Sequence, residues 1–257
     1  MEIVRLDDYQ SWLLRLHDAR GRLVQVVIDP WLSPRFVVGG AWLFAREHRD
    51  AVIDLDAIGP LDAAIVTAPF ADHCDLATLL RLPATLPMLA NAAVCRRLRR
   101  RGRACERVAA GTSHELAPGL ALSFFAPAKP YQHSSLGFVV REAASGCVLG
   151  FETHIVAPAE LARFGPLDVL VHPVESVQLL GRRLVAGPRA AAEVAAATQA
   201  RTFVPTGSEP QRSRGLLSSL LRVRGSLDEL AAMLAEQGRG TRLVALAAGE
   251  RLAVSGP

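Results

Sequence analysis

The 257-residue chain has only one lysine, Lys129, so nearly all of its 29 basic side chains are arginine. Aromatic residues make up only 5% of it. No apolar run reaches the ~18–20 residues that a membrane-spanning helix needs, so no membrane partner is expected. The start, MEIVRLDDYQ, lacks the basic-then-apolar pattern of a secretory leader, and a cytoplasmic protein is the expectation. None of the four cysteines, Cys74, Cys95, Cys105 and Cys147, forms a C-x-x-C pair. Their spacings fit no common zinc or haem pattern, which leaves free, mostly buried thiols as the expectation. There is no G-x-x-x-x-G-K-[ST] loop, no G-x-G-x-x-G and no G-x-S-x-G elbow, so the usual sequence marks of nucleotide binding and of α/β-hydrolase catalysis are missing. Linkers of low complexity and internal repeats are absent too, and the chain reads as a single domain over 1–257.

The charge balance is +4, and it gathers in one place, CRRLRRRGR (Cys95–Arg103), with six arginines in eight positions. Such a run can touch phosphate. It also suits the last turn of a helix, where cations meet the negative end of the dipole before a stop at Gly102. No aromatic side chains are interleaved for base stacking, so a nucleic-acid partner is not expected. The sequence leaves oligomeric state open.

Strand candidates come first: EIVRL, SWLLRLHD and LVQVVIDP, the last two joined by a turn around Gly21. A long irregular stretch follows from Pro30 to Pro60. Strands and helices then mix. AAIVT reads as a buried strand, DLATLLRL as a helix capped by Asp75, LPMLA as a strand, and AAVCRRLRRR as a helix opened by Asn91. LALSFFA, LGFVVRE and CVLGFE are three more strands. PAELARF is a short helix, LDVLVHP a buried strand, PRAAAEVAAATQA a helix with Pro188 at its start, and RTFVPT a strand. SLDELAAMLAEQ is a helix with Ser226 as its cap and Glu229 in the capping-box position. The end, TRLVALAAGERLAV, reads as a closing hairpin. Three successive strands between Leu120 and Glu152 break any regular βαβ rhythm. Two mixed β-sheets packed face to face with helices outside, an αββα sandwich, fit this order better than one parallel sheet.

The stretch TAPFADHCD (Thr67–Asp75), directly after a buried strand, carries the most chemistry. Together with VVIDPWLSP and VLGFETH it resembles the metallo-β-lactamase superfamily, whose signature is T-H-x-H-x-D-H after a strand, preceded by an aspartate that ends an earlier strand. The matches are Asp29, then Thr67, Asp72 and His73, then Glu152. The resemblance implies an αββα sandwich with metals at the edge between the sheets. In such a site two histidines at i and i+2 hold one zinc, and the neighbouring Asp and His turn toward a second. A later carboxylate bridges both metals, which together make hydroxide at neutral pH.

The sequence departs from that signature where it matters. Ala68 and Phe70 stand at the two histidine positions, and neither can donate an electron pair. Lys129 and Pro130 stand near the next ligand position, with His133 a few residues late. Thr206 and Gly207 stand where the last histidine belongs. The retained groups resemble a subgroup with D-H-C and E-x-H, here Asp72-His73-Cys74 and Glu152-Thr153-His154.

The resemblance implies a hydrolase-like protein with a degraded dinuclear centre. Asp72, His73 and Glu152 are the candidate catalytic residues, and with His154 they form the candidate ligand set for a metal. Asp29 and His172 would support the site from behind. No cofactor is the first expectation and a single zinc the alternative. Residual activity would be hydrolysis of an ester, thioester, lactone or phosphodiester. The alternative is a non-catalytic protein that binds an unidentified small molecule, or acts as a scaffold, through the old cleft. Glu175 lies on the same loop as His172, and His133 with Ser134 and Ser135 lacks the setting of a nucleophile and base. Phe70, Trp31 and Trp42 are candidates to fill the space left by the metals.

Overall fold

The computed structural model describes residues 1–50, 52–207 and 212–256. Its first strands are β1 (Glu2–Arg5), β2 (Trp12–His17), β3 (Leu23–Ile28), β4 (Arg35–Val38) and β5 (Phe44–Glu47). There follow α1 (Leu55–Ile58), β6 (Ala63–Val66), α2 (Leu76–Arg81), β7 (Met88–Ala90) and α3 (Ala92–Arg99). The middle runs through β8 (Glu106–Arg107), β9 (Ser113–Ala117), β10 (Leu120–Phe125), β11 (Gly137–Glu142), β12 (Val148–Phe151), α4 (Pro158–Ala162) and β13 (Val169–Pro173). Next are β14 (Ser176–Leu179), β15 (Arg182–Val185), α5 (Pro188–Ala197) and β16 (Thr202–Thr206). The chain ends with β17 (Arg212–Arg214), α6 (Leu216–Leu220), β18 (Leu221–Arg224), α7 (Leu227–Glu236), β19 (Arg242–Leu243) and β20 (Arg251–Ala253).

Two seven-stranded sheets, β20-β1-β2-β3-β6-β7-β8 and β19-β16-β13-β12-β11-β10-β9, stack face to face. Alternation along the strands sets the layers. In β2, Trp12, Leu14 and Leu16 point into the core between the sheets, where they meet Phe124, Phe138 and Phe151 of the second sheet. Leu13 points the other way and packs with Leu79, Val94 and Leu98 of α2 and α3. On the far side Leu170 and Phe203 pack on α5 and α7 through Val194 and Leu230. Each sheet is therefore buried on both faces, and the αββα expectation holds.

The caps fall where the sequence places them. The Asp75, Asn91 and Ser226 side chains accept backbone N–H bonds at the starts of α2, α3 and α7.

Three expectations need correction. The stretch 30–60 is not irregular: β4 and β5 form a hairpin, and β17 joins them in a small sheet. A second small sheet runs β15-β14-β18. The closing segment is no hairpin either, because β19 pairs with β16 and β20 with β1, so its two strands enter different sheets. Lastly, Cys95 and Cys105 form a disulfide. The chain doubles back after Gly102, where φ is +73°, and brings the two Cα atoms within 5.3 Å. Cys74 and Cys147 are free and buried, as expected.

The parallel pairs β3–β6, β12–β13 and β13–β16 end nearly flush: Ile28 faces Ile65, Phe151 faces Val171, and Pro173 faces Thr206. Carboxyl ends of strands from both sheets thus meet at one edge, the usual place for a site in such sheets.

Candidate functional site

The first-sheet half of this edge is a closed network. Asp29 follows β3 with φ at +44°, a left-handed conformation that aspartate tolerates better than most residues. Its buried carboxylate accepts three bonds, from Thr67 N at 2.7 Å, Thr67 Oγ1 at 2.5 Å and His73 Nδ1 at 2.8 Å. Its carbonyl accepts from Ser11 Oγ at 3.0 Å. The same hydroxyl lies 2.6 Å from the buried Asp7, whose carboxyl burial pushes above the usual range. His73 sits in the turn that enters α2, and its N–H bonds Phe70 O at 3.1 Å. Burial alone would lower its pKa. The neighbouring carboxylates of Asp29, Asp72 and Glu152 outweigh that and raise it. The thiol of Cys74 is pushed by burial to about 11, so it is no thiolate nucleophile.

The second-sheet half is open by comparison. Glu152 follows β12 and is fully buried. Its Oε1 accepts from His154 N at 2.8 Å, while Oε2 has no hydrogen-bond partner among the described residues. His172, near the end of β13, donates from Nδ1 to Glu152 O at 3.1 Å, and that nitrogen is 3.4 Å from Oε2. Burial lowers the His172 pKa, partly offset by Glu152. With Nδ1 as donor, the neutral ring carries its lone pair on Nε2, which is buried with no hydrogen-bond partner among the described residues.

The halves meet through rings. His73 and His154 stack with centroids 4.9 Å apart and planes 20° apart. Tyr131 covers the other side of His154 at 4.1 Å. Phe70 stands edge-on to all three, at 6.2 Å from His73, 5.8 Å from His154 and 5.6 Å from Tyr131. Of the three aromatic residues expected to fill the metal space, Phe70 packs there. Trp31 belongs to a separate cluster with Tyr9 and Phe36, stacked on His48. Trp42 is 70% exposed and fills nothing.

A family model described as the beta-lactamase superfamily domain matches residues 25–207, most of the chain, from Asp29 to Thr206 of this site. The chain belongs to the metallo-β-lactamase superfamily. Among solved structures, an isothiocyanate hydrolase from Delia radicum gut bacteria superposes with a TM-score of 0.75 at 18% identity, covering 99% of this chain and 100% of its own. A metallo hydrolase from Ignicoccus hospitalis gives 0.66 at 13%, covering 98% and 97%. A metallo-β-lactamase-fold protein from Bacillus subtilis gives 0.64 at 12%, covering 98% and 99%. At these identities the likeness speaks for the fold. No curated protein matches the sequence.

The family is one of metal-dependent hydrolases, so the donors here can be tested against a dinuclear centre. They do not fit one. Ala68 and Phe70 offer no lone pair, and Thr206 Oγ1 accepts from Trp12 Nε1 at 2.9 Å. His73 and His154 each have Nδ1 engaged, with Asp29 at 2.8 Å and Thr153 Oγ1 at 3.2 Å, so each could offer a metal only its Nε2. Among the described residues no three His, Cys, Asp or Glu side chains gather as a metal-holding group.

Of the sequence-derived candidates, Asp29 and His73 pair directly, and Glu152, His154 and His172 form the second group. Asp72 stays at the margin: its carbonyl accepts from Gln10 Nε2, and its carboxylate makes no hydrogen bond among the described residues. His133 is exposed and pairs with Gln132 at 2.8 Å, outside the cluster. Tyr131, which the sequence reading passed over, lies between Lys129 and His133 in the very segment searched for a ligand. A phenol is no usual metal donor, and its packing against His154 is a long-range contact that the sequence does not show.

Proposed function

We propose that the strand-end site binds a small organic molecule and that the metal-hydroxide chemistry of the family has been given up. The observation that carries this reading is Phe70. Its ring replaces a histidine of the family signature and lies against His73, His154 and Tyr131. In the same cluster of strand ends, Glu152 Oε2 and His172 Nε2 are buried with no hydrogen-bond partner among the described residues. Leaving such atoms unsatisfied costs roughly 1–3 kcal/mol each, and a ligand or ordered water that bonds them recovers that cost. A thermal-shift screen of small polar and amphipathic molecules tests the reading. Binders whose effect disappears in Glu152→Gln support it; a screen without binders contradicts it.

A second reading is metal-free hydrolysis of an ester, thioester, lactone or phosphodiester. The buried Asp29 carboxylate on His73 Nδ1 favours it, because such a pair can hold an imidazole to move a proton. Turnover that survives chelation and is lost in His73→Gln would establish it. Turnover that requires one added zinc per chain would instead establish a mononuclear site on Asp72, His73, Glu152 and His154.

No helix among the described residues is long and apolar enough to cross a membrane. We place the protein in the cytoplasm. That placement and the Cys95–Cys105 disulfide pull against each other, since cytosolic thiols are mostly kept reduced. Thiol labelling on lysis tests it: labelled Cys95 and Cys105 support the cytoplasm, and protected ones point elsewhere.

A further inference from the structure

The two small sheets form a surface that the strand-end site does not explain. They are joined by α6, whose Leu216 and Leu217 N–H groups bond Trp42 O and Leu43 O at 2.9 Å. β17, before α6, pairs with β5; β18, directly after it, pairs with β14. Segments 35–47, 176–185 and 212–224 hold 36 of the 257 residues, yet eight of the 29 basic residues and only one of the 25 acidic ones, Glu47. The remainder of the chain, with 21 basic against 24 acidic, is slightly negative. The whole net positive charge therefore sits on this arm.

The same arm carries seven of the ten exposed large apolar side chains. Leu180 at the β14–β15 turn is 75% exposed, Trp42 after the Gly39-Gly40 turn is 70% exposed, and Leu216 on α6 is 55% exposed. Arg35, Arg182, Arg183, Arg212, Arg222 and Arg224 are exposed around them, and none makes an ion pair among the described residues. Glu47 is paired with Arg214. In the second sheet Gln178 stands opposite Arg183 and Arg222, and Arg224, two residues on, shares that face. One face of that sheet is thus an arginine row, with Leu180 at its β14–β15 turn, and Trp42 lies across α6, next to Leu216.

We infer that this arm docks on an anionic phospholipid surface. Guanidinium groups meet the negative headgroups, and leucine, valine and an indole at turn tips suit the interfacial layer, where tryptophan is favoured. Trp42 is the only exposed aromatic residue on the arm, so it offers no platform on which successive bases could stack. A second copy of the chain would bring like charges together. The sequence alone leads to the opposite expectation, of no membrane partner, because the patch is assembled from three separated segments and contains no spanning run.

The test is co-sedimentation of the full chain with vesicles of phosphatidylcholine alone or with about 30% phosphatidylserine. The expected result is binding to the anionic vesicles only, weakened as salt rises from about 0.05 M to about 0.5 M. Replacing Arg182, Arg183, Arg222 and Arg224 together by glutamine should weaken it about tenfold or more. Trp12 and Trp31 are fully buried, so a blue shift of tryptophan emission on binding reports Trp42, and Trp42→Phe should abolish the shift while sedimentation persists. No sedimentation with either vesicle, equal binding to both, or displacement from the vesicles by a short nucleic-acid duplex would overturn the inference. None of these outcomes depends on what the strand-end site binds.

Discussion

The two halves of the strand-end site come from equivalent places in the two sheets, yet they are built on opposite plans. Around Asp29 every carboxylate oxygen has a donor, from Thr67 or His73. Around Glu152 one carboxylate oxygen and one imidazole nitrogen, both buried, have none. The first half is a finished structural clamp that fixes the ends of β3 and β6 and the turn into α2. The second half keeps hydrogen-bonding capacity that the described residues do not use. The difference teaches that equivalent strand ends need not be finished alike: the first half closes its hydrogen bonds within the fold, and the second does not.

The sharpest way to break this comparison is to remove one carboxylate at a time. Asp29→Ala leaves His73 and Thr67 buried without their acceptor, and should cost ~3–5 kcal/mol in urea unfolding. Equal tolerance of Asp29→Ala and Glu152→Ala would erase the distinction between clamp and open half.

The histidines separate the halves by pH. His73 has a folded pKa raised above the ordinary ~6.5, so its contribution is fully present below that pH and is lost as pH rises through the folded value. His172 has a lowered folded pKa. The unfolded chain then takes up a proton that the folded one refuses, and stability is lost as pH falls below ~6.5. In unfolding free energy measured from pH 5 to 9, His73→Gln should flatten the alkaline side and His172→Gln the acid side. Slopes of the same sign would contradict the assignment.

The smallest effect is expected at Glu152→Gln. The amide oxygen can still accept from His154 N, and no donor is lost at the other position, so stability should stay within about 1 kcal/mol. A loss matching that of Asp29→Ala would mean that the second half is as closed as the first.

Much of the frame is legible in the residues. Alternation in β2 and the caps at Asp75, Asn91 and Ser226 are local signals, and local signals survive folding. Asp29 and His73 are each legible as site residues, but their direct hydrogen bond is not, because it depends on the parallel register that sets the end of β3 beside that of β6. What no single segment carries is long-range packing. The β4–β5–β17 sheet unites residues 35 and 214, and the disulfide depends on how sharply the chain turns at Gly102. Phe70 reads as a lost ligand in the sequence; only its neighbours, Tyr131 and His154, give it a place. The unpartnered atoms of Glu152 and His172 are likewise a property of surroundings, not of residue type.

Phe70 stands where the family signature has a metal-binding histidine, and a metal count tests most directly whether the proposed loss of the metal centre is right. Protein purified without chelators, then incubated with zinc and desalted, should hold well under one equivalent of zinc per chain. Two equivalents bound per chain would contradict it.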